Sequence, residues 1–267
     1  MQFPPSPAWS FCIKHYLFLK CNYSRPLRLF SDGNTGMVFI IRGQLKIKKK
    51  GSPDVEILPD AFVYGQLDSY CDIFSQDETE MLIIVFQPYG FFSLCGIPAD
   101  ELKTQIIDAY SLFGHQIYLL NDALQSAGGY TQAISVVEGY FVGLGKRSKA
   151  ISHQLGPIVK TIVQVKGGST VNELTKLTGY SERQLERLFH HSIGISPVRY
   201  LQIVRLHYFL SLMRPAPKTG SLTVAGLESG YYDQPHLIHN FKQITGLTPG
   251  QYLSTASALT VNLITVN

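Results

Sequence analysis

Two stretches of this 267-residue chain repeat one another, and the repeat limits the fold more than any other feature. The first carries Gly179-Tyr180, Phe189, Gly194, Pro197 and Tyr200-Leu201. The second carries Gly230-Tyr231, Phe241, Gly246, Pro249 and Tyr252-Leu253. Five positions, Phe189 to Phe241 through Leu201 to Leu253, share one constant offset. The glycine–tyrosine pair is offset by one residue less, so the second copy has gained a residue between its glycine and its phenylalanine. Self-similarity of this kind marks one supersecondary unit used twice.

Each copy reads as helix, glycine turn, helix. Val171–Leu177 follows Thr170, a hydroxyl suited to capping a helix start, and Leu222–Ser229 follows Ser221 in the same role. Gly179 and Gly230 end these helices, because glycine adopts the left-handed C-cap conformation at little cost. Ser181 and Asp233 then cap a second helix. Its apolar stripe is Leu185, Leu188 and Phe189 in one copy and Leu237, Ile238 and Phe241 in the other. The opposite face is polar: Arg183, Glu186, Arg187 and His190, then Gln234, His236, His239 and Lys242. This is the helix-turn-helix pattern, at about 170–191 and 221–245, whose second helix enters a major groove. A lone helical hairpin would say little, but two in one half of the chain say more. Pro197 opens a connecting helix over about 197–213, with Val198, Leu201, Val204, Tyr208 and Leu212 at helical spacing up to Pro215. A rigid connector fixes the distance between the two second helices, and successive major grooves on one DNA face lie about 34–36 Å apart.

Charge supports a polyanion partner for this half. Residues 1–150 hold 13 Lys+Arg and 14 Asp+Glu; residues 151–267 hold 10 and 5, with six of the eight histidines. A near-neutral half beside a basic half is a modest pointer to nucleic acid. The cysteines Cys12, Cys21, Cys71 and Cys95 all lie in the first half without CxxC spacing, which argues against a disulfide framework or zinc site and for buried thiols in a reducing compartment. No apolar run is long enough to cross a membrane, and the N-terminus lacks a secretory pattern. A cytoplasmic protein with no membrane partner is expected.

The first half reads as short strands. Met37–Arg42, Gln44–Lys50, Val55–Leu58, Phe62–Gly65 and Met81–Phe86 are β-prone runs cut by Gly43, Gly51-Ser52-Pro53-Asp54 and Pro59-Asp60. Met81–Phe86 is apolar throughout, as in a strand buried on both sides. Several short strands at close spacing predict a small barrel or sandwich. After Pro88 the spacing turns helical: Leu102, Ile106, Ile107 and Tyr110 from a start at Pro98–Glu101, then Ile117, Leu120 and Leu124, then Ile134, Val137, Tyr140 and Phe141. The basic stretch Gly145–Lys149 is the expected linker. The expected fold class is α+β: a small β-barrel with following helices over 1–148, and an all-α domain of two helix-turn-helix modules joined by a linker helix over 149–267.

A metal barrel needs clustered histidines and carboxylates, and His15 and His115 both lie outside the strand runs identified here, so no metal or other cofactor is expected. A pocket for a small effector suits a barrel mouth. Arg42, Tyr64 and Tyr70 could line one, or be ordinary rim residues. Lys46, Lys48, Lys49 and Lys50 read as protection of a sheet edge. Residues 254–267 mix apolar and polar side chains and fit either packing on the body or disorder.

Residues from about 155 to 255 resemble the DNA-binding domain of the AraC/XylS family of bacterial transcription regulators. The resemblance rests on the glycine–aromatic turns, the Phe-x4-Gly-x2-Pro-x2-Tyr endings, Arg205-Leu206, Gly230-Tyr-Tyr-Asp-Gln-Pro-His-Leu and Gly246-Leu-Thr-Pro-Gly-Gln-Tyr-Leu253. The first half is similar, less closely, to the cupin-like sensor domains such regulators carry. The resemblance implies a sequence-specific regulator that is not an enzyme, with double-stranded DNA, a small-molecule effector, RNA polymerase and a second copy of itself as partners. It places base reading on Arg183, Glu186 and Arg187, and on Gln234, His236 and His239, with Pro235 in a position that cannot hydrogen-bond a base. Arginine pairs with guanine and glutamine with adenine, each worth about 1–3 kcal/mol of discrimination. Glu186 either accepts from cytosine or pairs with Arg183 or His190. Arg199 and Lys242 are placed for phosphates. The chain departs from the family at Thr175 and Gly226, where alanine is usual, and at Phe209 in the linker helix. Two other readings stay open. One is a DNA-repair alkyltransferase that carries the same module and uses Cys12, beside Lys14 and His15, as its nucleophile. The other is a regulator whose first half only binds protein.

Overall fold

The computed structural model describes residues 1–21, 25–75, 78–144, 150–213, 222–254, 258–260 and 262–266. The expected linker Gly145–Lys149, the expected cap Ser221 and the expected helix end at Pro215 lie outside them. The first half contains β1 (Gln2–Phe3), β2 (Ile13–Cys21), β3 (Leu27–Leu29), β4 (Gly36–Arg42), β5 (Leu45–Lys49), β6 (Glu56–Ile57), β7 (Ala61–Tyr64), β8 (Cys71–Ser75) and β9 (Thr79–Phe86). Helix α1 (Gly90–Cys95), strand β10 (Ile106–Asp108) and helices α2 (Ala109–Phe113), α3 (Gln116–Gln125) and α4 (Tyr130–Gly143) follow. The second half holds α5 (Ala150–Gln164), α6 (Val171–Thr178), α7 (Glu182–Ile193), α8 (Pro197–Met213), α9 (Leu222–Glu228), α10 (Gln234–Thr245) and α11 (Pro249–Ser254). The chain ends on β11 (Ala258–Thr260) and β12 (Leu263–Thr265).

The strands form two antiparallel six-stranded sheets, in the orders β1-β2-β9-β4-β7-β10 and β11-β12-β3-β8-β5-β6. Both orders are open, so the expected closed barrel is corrected to two separate sheets. Each ends in strands of two or three residues that do not pair across to the other sheet. The period-2 alternation of strands explains why β4 and β9 read as unbroken apolar runs. Met37, Phe39, Leu82, Ile84 and Phe86 pack with the helices on one face. Val38, Ile40 and Met81 pack on the other face with Leu27, Leu45, Ile47 and Cys71 of the second sheet.

Two local expectations fail for the same reason, that an open strand edge outbids local pattern. The segment from Pro98 was expected to be helical, but Ile106–Asp108 pairs with β7, Ile106 opposite Tyr64. Gly65 makes the approach possible, because a Cβ there would lie 1.9 Å from the Leu102 carbonyl oxygen. Only Ala109–Phe113 is helical, capped by Asp108, which accepts from the Tyr110 amide at 2.9 Å. The lysines of β5 do not protect an edge either: β5 lies between β8 and β6, and Lys49 meets Glu56 of β6 at 3.2 Å.

In the second half the connecting helix α8 buries a different stripe from the expected one: of Val198, Leu201, Val204, Tyr208 and Leu212 only Leu201 is fully buried. Tyr200, Leu201, Ile203, Leu206, Phe209, Leu210 and Met213 are buried, while Val198 is exposed. The reason is its position: α8 packs against α5, α7, α9 and α10, and also against the first half. Phe209 fills the core edge-on to Phe241 (5.9 Å) and Tyr231 (6.4 Å). At Gly226 an added Cβ would come 3.0 Å from a Leu237 methyl, so alanine there asks a small shift of that side chain.

Candidate nucleic-acid interface and interdomain cavity

The first module is set by two capping boxes. Thr170 Oγ1 accepts from the Glu173 amide (3.2 Å) while the Glu173 carboxylate accepts from the Thr170 amide (2.8 Å). Ser181 Oγ accepts from the Gln184 amide (3.3 Å) and Gln184 Oε1 accepts from the Ser181 amide (2.8 Å). Such caps satisfy the free amides of a helix start and fix where it begins. Between them Gly179 turns the chain at φ +72°. Leu185, Phe189 and Ile193 bury one side of α7, which leaves Arg183 and Arg187 exposed. Glu186 sits 3.4 Å from His190, one helical turn on. Gln184 is spent on the cap.

The second module repeats this with different residues. Asp233 accepts from the His236 amide at 2.7 Å, and Pro235 sits in the first turn, where its missing N–H costs nothing. Leu237, Phe241 and Ile244 are buried; Gln234, His236, His239 and Lys242 are exposed. Tyr232, in the turn before α10, is 87% exposed and was missed by sequence reasoning, although the doublet Tyr231-Tyr232 was visible. Tyr231 is the buried member and bonds Asn240 at 3.0 Å.

Arg199 is placed differently from its expected role. Its guanidinium donates to the Asp68 carbonyl of the first half at 2.7 Å and reaches Gln202 and Gln243 at 3.3 and 3.4 Å. It ties the two halves together. Further ties include Ala99 N–H to the His191 carbonyl (2.8 Å), His207 Nε2 with the Ser31 carbonyl (3.0 Å), and the Tyr70 ring packed over Gly246.

Between the halves lies a cavity of about 990 Å³. Leu17, Leu19, Ile83 and Val85 of the first sheet form one apolar wall, and Val159, Val163 and Val204 of α5 and α8 the other. Lys14, His15, Asp32, Asn34, Lys160 and His207 supply the polar groups. Burial works against the Asp32 carboxylate, but Lys14, His207 and hydrogen bonds from Asn34 prevail and hold its pKa below the usual value. Burial, and then Lys14, push the His15 pKa down. Tyr64 lines this cavity; Arg42 and Tyr70 are not among its walls. Sequence reasoning missed the cavity because its walls come from segments up to about 250 residues apart.

Cys12 is fully buried and its thiol donates to the Trp9 carbonyl at 3.5 Å, a poor position for a nucleophile. Burial raises the thiol pKa of Cys21, and that of Cys71 to about 12. Among the described residues no three His, Cys, Asp or Glu side chains group as a metal site, and no helix is long and apolar enough to cross a membrane.

Comparison with known proteins matches two separate parts of the chain. Residues 174–255 match a family described as a helix-turn-helix domain, and residues 1–108 match one described as a domain of unknown function (DUF6597). An uncharacterised HTH-type transcriptional regulator of Haemophilus influenzae is 24% identical over 222 residues, 78% of this chain. The match spans 65% of that relative's length. The crystal structure of ToxT from Vibrio cholerae O395 superposes with a TM-score of 0.50 at 12% identity, covering 90% of this chain and 96% of ToxT. An unsaturated fatty acid-bound ToxT from strain SCE256 gives 0.50 at 11% identity, covering 89% and 94%. At such identities the likeness concerns the fold.

Proposed function

From a C-terminal domain that is a helix-turn-helix domain of the AraC type, we propose that the chain is a sequence-specific DNA-binding transcription regulator under the control of a small molecule. The observation that carries this is the paired construction of α7 and α10. Each has a fixed N-terminal cap, one buried face, and exposed groups able to bond base edges in its first two turns. In this reading Arg183 and Arg187 pair with guanine, and Gln234, His236 and His239 read the second site. Lys242 contacts phosphate. Glu186, paired with His190, shapes the surface of α7 more than it reads cytosine. Arg199 reaches a phosphate only when its bond to Asp68 opens. A homodimer and contact with RNA polymerase belong to the same reading.

The test is electrophoretic shift of DNA fragments from around the gene that encodes the chain, over a salt series. The wild type should retain one fragment against excess bulk DNA, and Arg183→Ala/Arg187→Ala should lose that preference. At about 1–3 kcal/mol per arginine, the preferred fragment weakens by roughly 5- to 150-fold for each. Lys242→Ala should weaken all fragments alike and lower the salt slope by about one. Sequence-blind binding by the wild type, unchanged in the double variant, refutes the reading.

The interdomain cavity is the proposed effector site. Its apolar walls and its lysines Lys14, Lys160 and Lys166 suit an apolar molecule with one carboxylate, such as the unsaturated fatty acid of the ToxT complex. Oleate should bind the wild type and bind Lys14→Ala/Lys160→Ala at least tenfold more weakly. Methyl oleate that binds as well as oleate would remove the carboxylate from the reading.

A further inference from the structure

The residues after the second module return to the first half. β12 pairs antiparallel with β3, with Leu263 opposite Leu29, Ile264 opposite Arg28 and Thr265 opposite Leu27. The pairing is extended at both ends. The Phe30 amide donates to the Asn262 carbonyl and the Asn262 side chain donates to the Phe30 carbonyl, both at 3.1 Å. The Val266 amide donates to the Pro26 carbonyl, also at 3.1 Å. β11 then pairs outside β12, so the second sheet takes two of its six strands from beyond the second module.

The strand alternation gives this tail two different partners. Leu263 enters the core between the two sheets, beside Leu27, Val38 and Cys71. Ile264 and Val266, 1% and 7% exposed, belong to the core of the helical half, with Tyr200, Phe209 and Tyr252. Phe30, the residue after β3, enters the same helical core, edge-on to Tyr252 at 6.2 Å. Asn262 and Leu263 also form part of the wall of the interdomain cavity. One short strand therefore touches the sheets, the second module's core and the cavity.

We infer that the tail is an interdomain strap: it completes the effector cavity and ties the second helix-turn-helix module to the sensor sheets, so that cavity occupancy and the placement of that module are linked through it. The inference deepens the effector reading and rests on it for the identity of the occupant only. The physical ground is size. A strand of three residues, with Leu263 on one face and Ile264, followed by Val266 just beyond the strand, on the other, opens more readily than the sheets it joins. A molecule that contacts Asn262 and Leu263 binds the docked strap and not the released one. It must favour docking by the same factor that docking favours its binding.

The experiment uses the full chain, wild type beside Ile264→Asp, with amide hydrogen exchange followed residue by residue and oleate as the probe. In the variant, the amides of Phe30 and Val266 should exchange at least 100-fold faster, while Leu82–Val85 of β9 and the amides of α7 keep their wild-type rates. Oleate should bind the variant at least tenfold more weakly, and should slow exchange at Phe30 and Val266 in the wild type. Faster exchange throughout the chain would make the tail ordinary core and overturn the strap. So would unchanged exchange at Phe30, or oleate that binds both proteins equally. Should Ile264→Asp fail to fold, Asn262→Ala, which removes only the side-chain bond to Phe30, should speed Phe30 exchange about tenfold with β9 unaffected; no change there overturns the strap. Failure of oleate to bind the wild type overturns the fatty-acid reading alone, and the exchange comparison then decides the strap by itself.

Discussion

Gly246→Ala should part the two halves of the protein, and Gly179→Ala should not. Both glycines end a helix in the left-handed region, at φ +74° and +72°. An L-residue there costs about 1–2 kcal/mol, and in Gly179→Ala that is the whole cost, because nothing lies within 4 Å of the added methyl. At Gly246 the methyl would stand 2.1 Å from Tyr70 Cε1 of the first half, far inside contact distance. Overpacking of that kind adds about 1–3 kcal/mol, so Gly246→Ala should cost about 2–5 kcal/mol in total. Urea unfolding of the two variants at equal m-value measures the difference. Tyr70→Ala closes the cycle: with the ring gone, Gly246→Ala should cost no more than Gly179→Ala does. Tyr70 also carries the Arg28 guanidinium 3.9 Å above its ring, and the cycle cancels that loss because it is present on both sides. Costs for Gly246→Ala and Gly179→Ala that agree within about 0.5 kcal/mol would refute the contact, since the predicted gap is at least twice the usual scatter of such measurements.

Three further outcomes are expected. Ser181→Ala removes the acceptor at the start of α7 and should cost about 0.5–2 kcal/mol. It should weaken binding to the preferred DNA fragment more than Thr170→Ala does, because Thr170 caps only the supporting helix; equal losses would place α7 away from the DNA. Asp32 titrates below 3.8 in the folded protein, so its contribution to stability is present above about pH 4 and is lost as pH falls through its lowered pKa. The stability gap between wild type and Asp32→Asn should therefore shrink between pH 5 and pH 3, and a gap independent of pH would exclude the Lys14 and His207 partnership. His15 titrates below 6.5, so stability falls as pH drops below 6.5 and the unfolded chain takes up the proton first. His15→Gln should flatten that slope in urea titrations from pH 7 to pH 5.

The modules were legible in the sequence because everything that builds them is local. Thr170 and Ser181 cap over three residues, Gly179 and Gly194 turn over one, and Leu185 and Phe189 share a face over four. The repeat then supplied a second reading of the same rules. The sheets were half legible. Met81–Phe86 announces itself as apolar, but β2 does not, because its nine residues mix Lys14, His15 and Lys20 with apolar side chains at no clean period. The bond of Arg199 to the first half was not legible, because an arginine at a helix start looks the same whether it meets a phosphate or the carbonyl of Asp68, 131 residues away. The tail was left open for the same reason. Its partner, β3, is three residues long and more than 230 residues distant, and no local pattern encodes that pairing.

What the sequence left unread is how the halves meet, and there the two modules agree again. Gly194 and Gly246 occupy the same place in the repeat, at the C-terminal ends of α7 and α10, and both press on the first half. A Cβ on Gly194 would lie 2.7 Å from the Ala99 carbonyl oxygen, as one on Gly246 would meet Tyr70. The exposed groups proposed to read bases stand at the other ends, from Arg183 and Gln234 onward. A helix of 12 residues is about 18 Å long, so each is held at one end and proposed to read at the other. Close-packed interiors have low compressibility and transmit strain. A small change of seating at Ala99 or Tyr70 therefore tilts a whole helix and displaces its reading end most. The glycines are what allow the first half so close to those ends, and any side chain there would push it away. The same two positions that terminate the helices thus give the first half its grip on both of them at once.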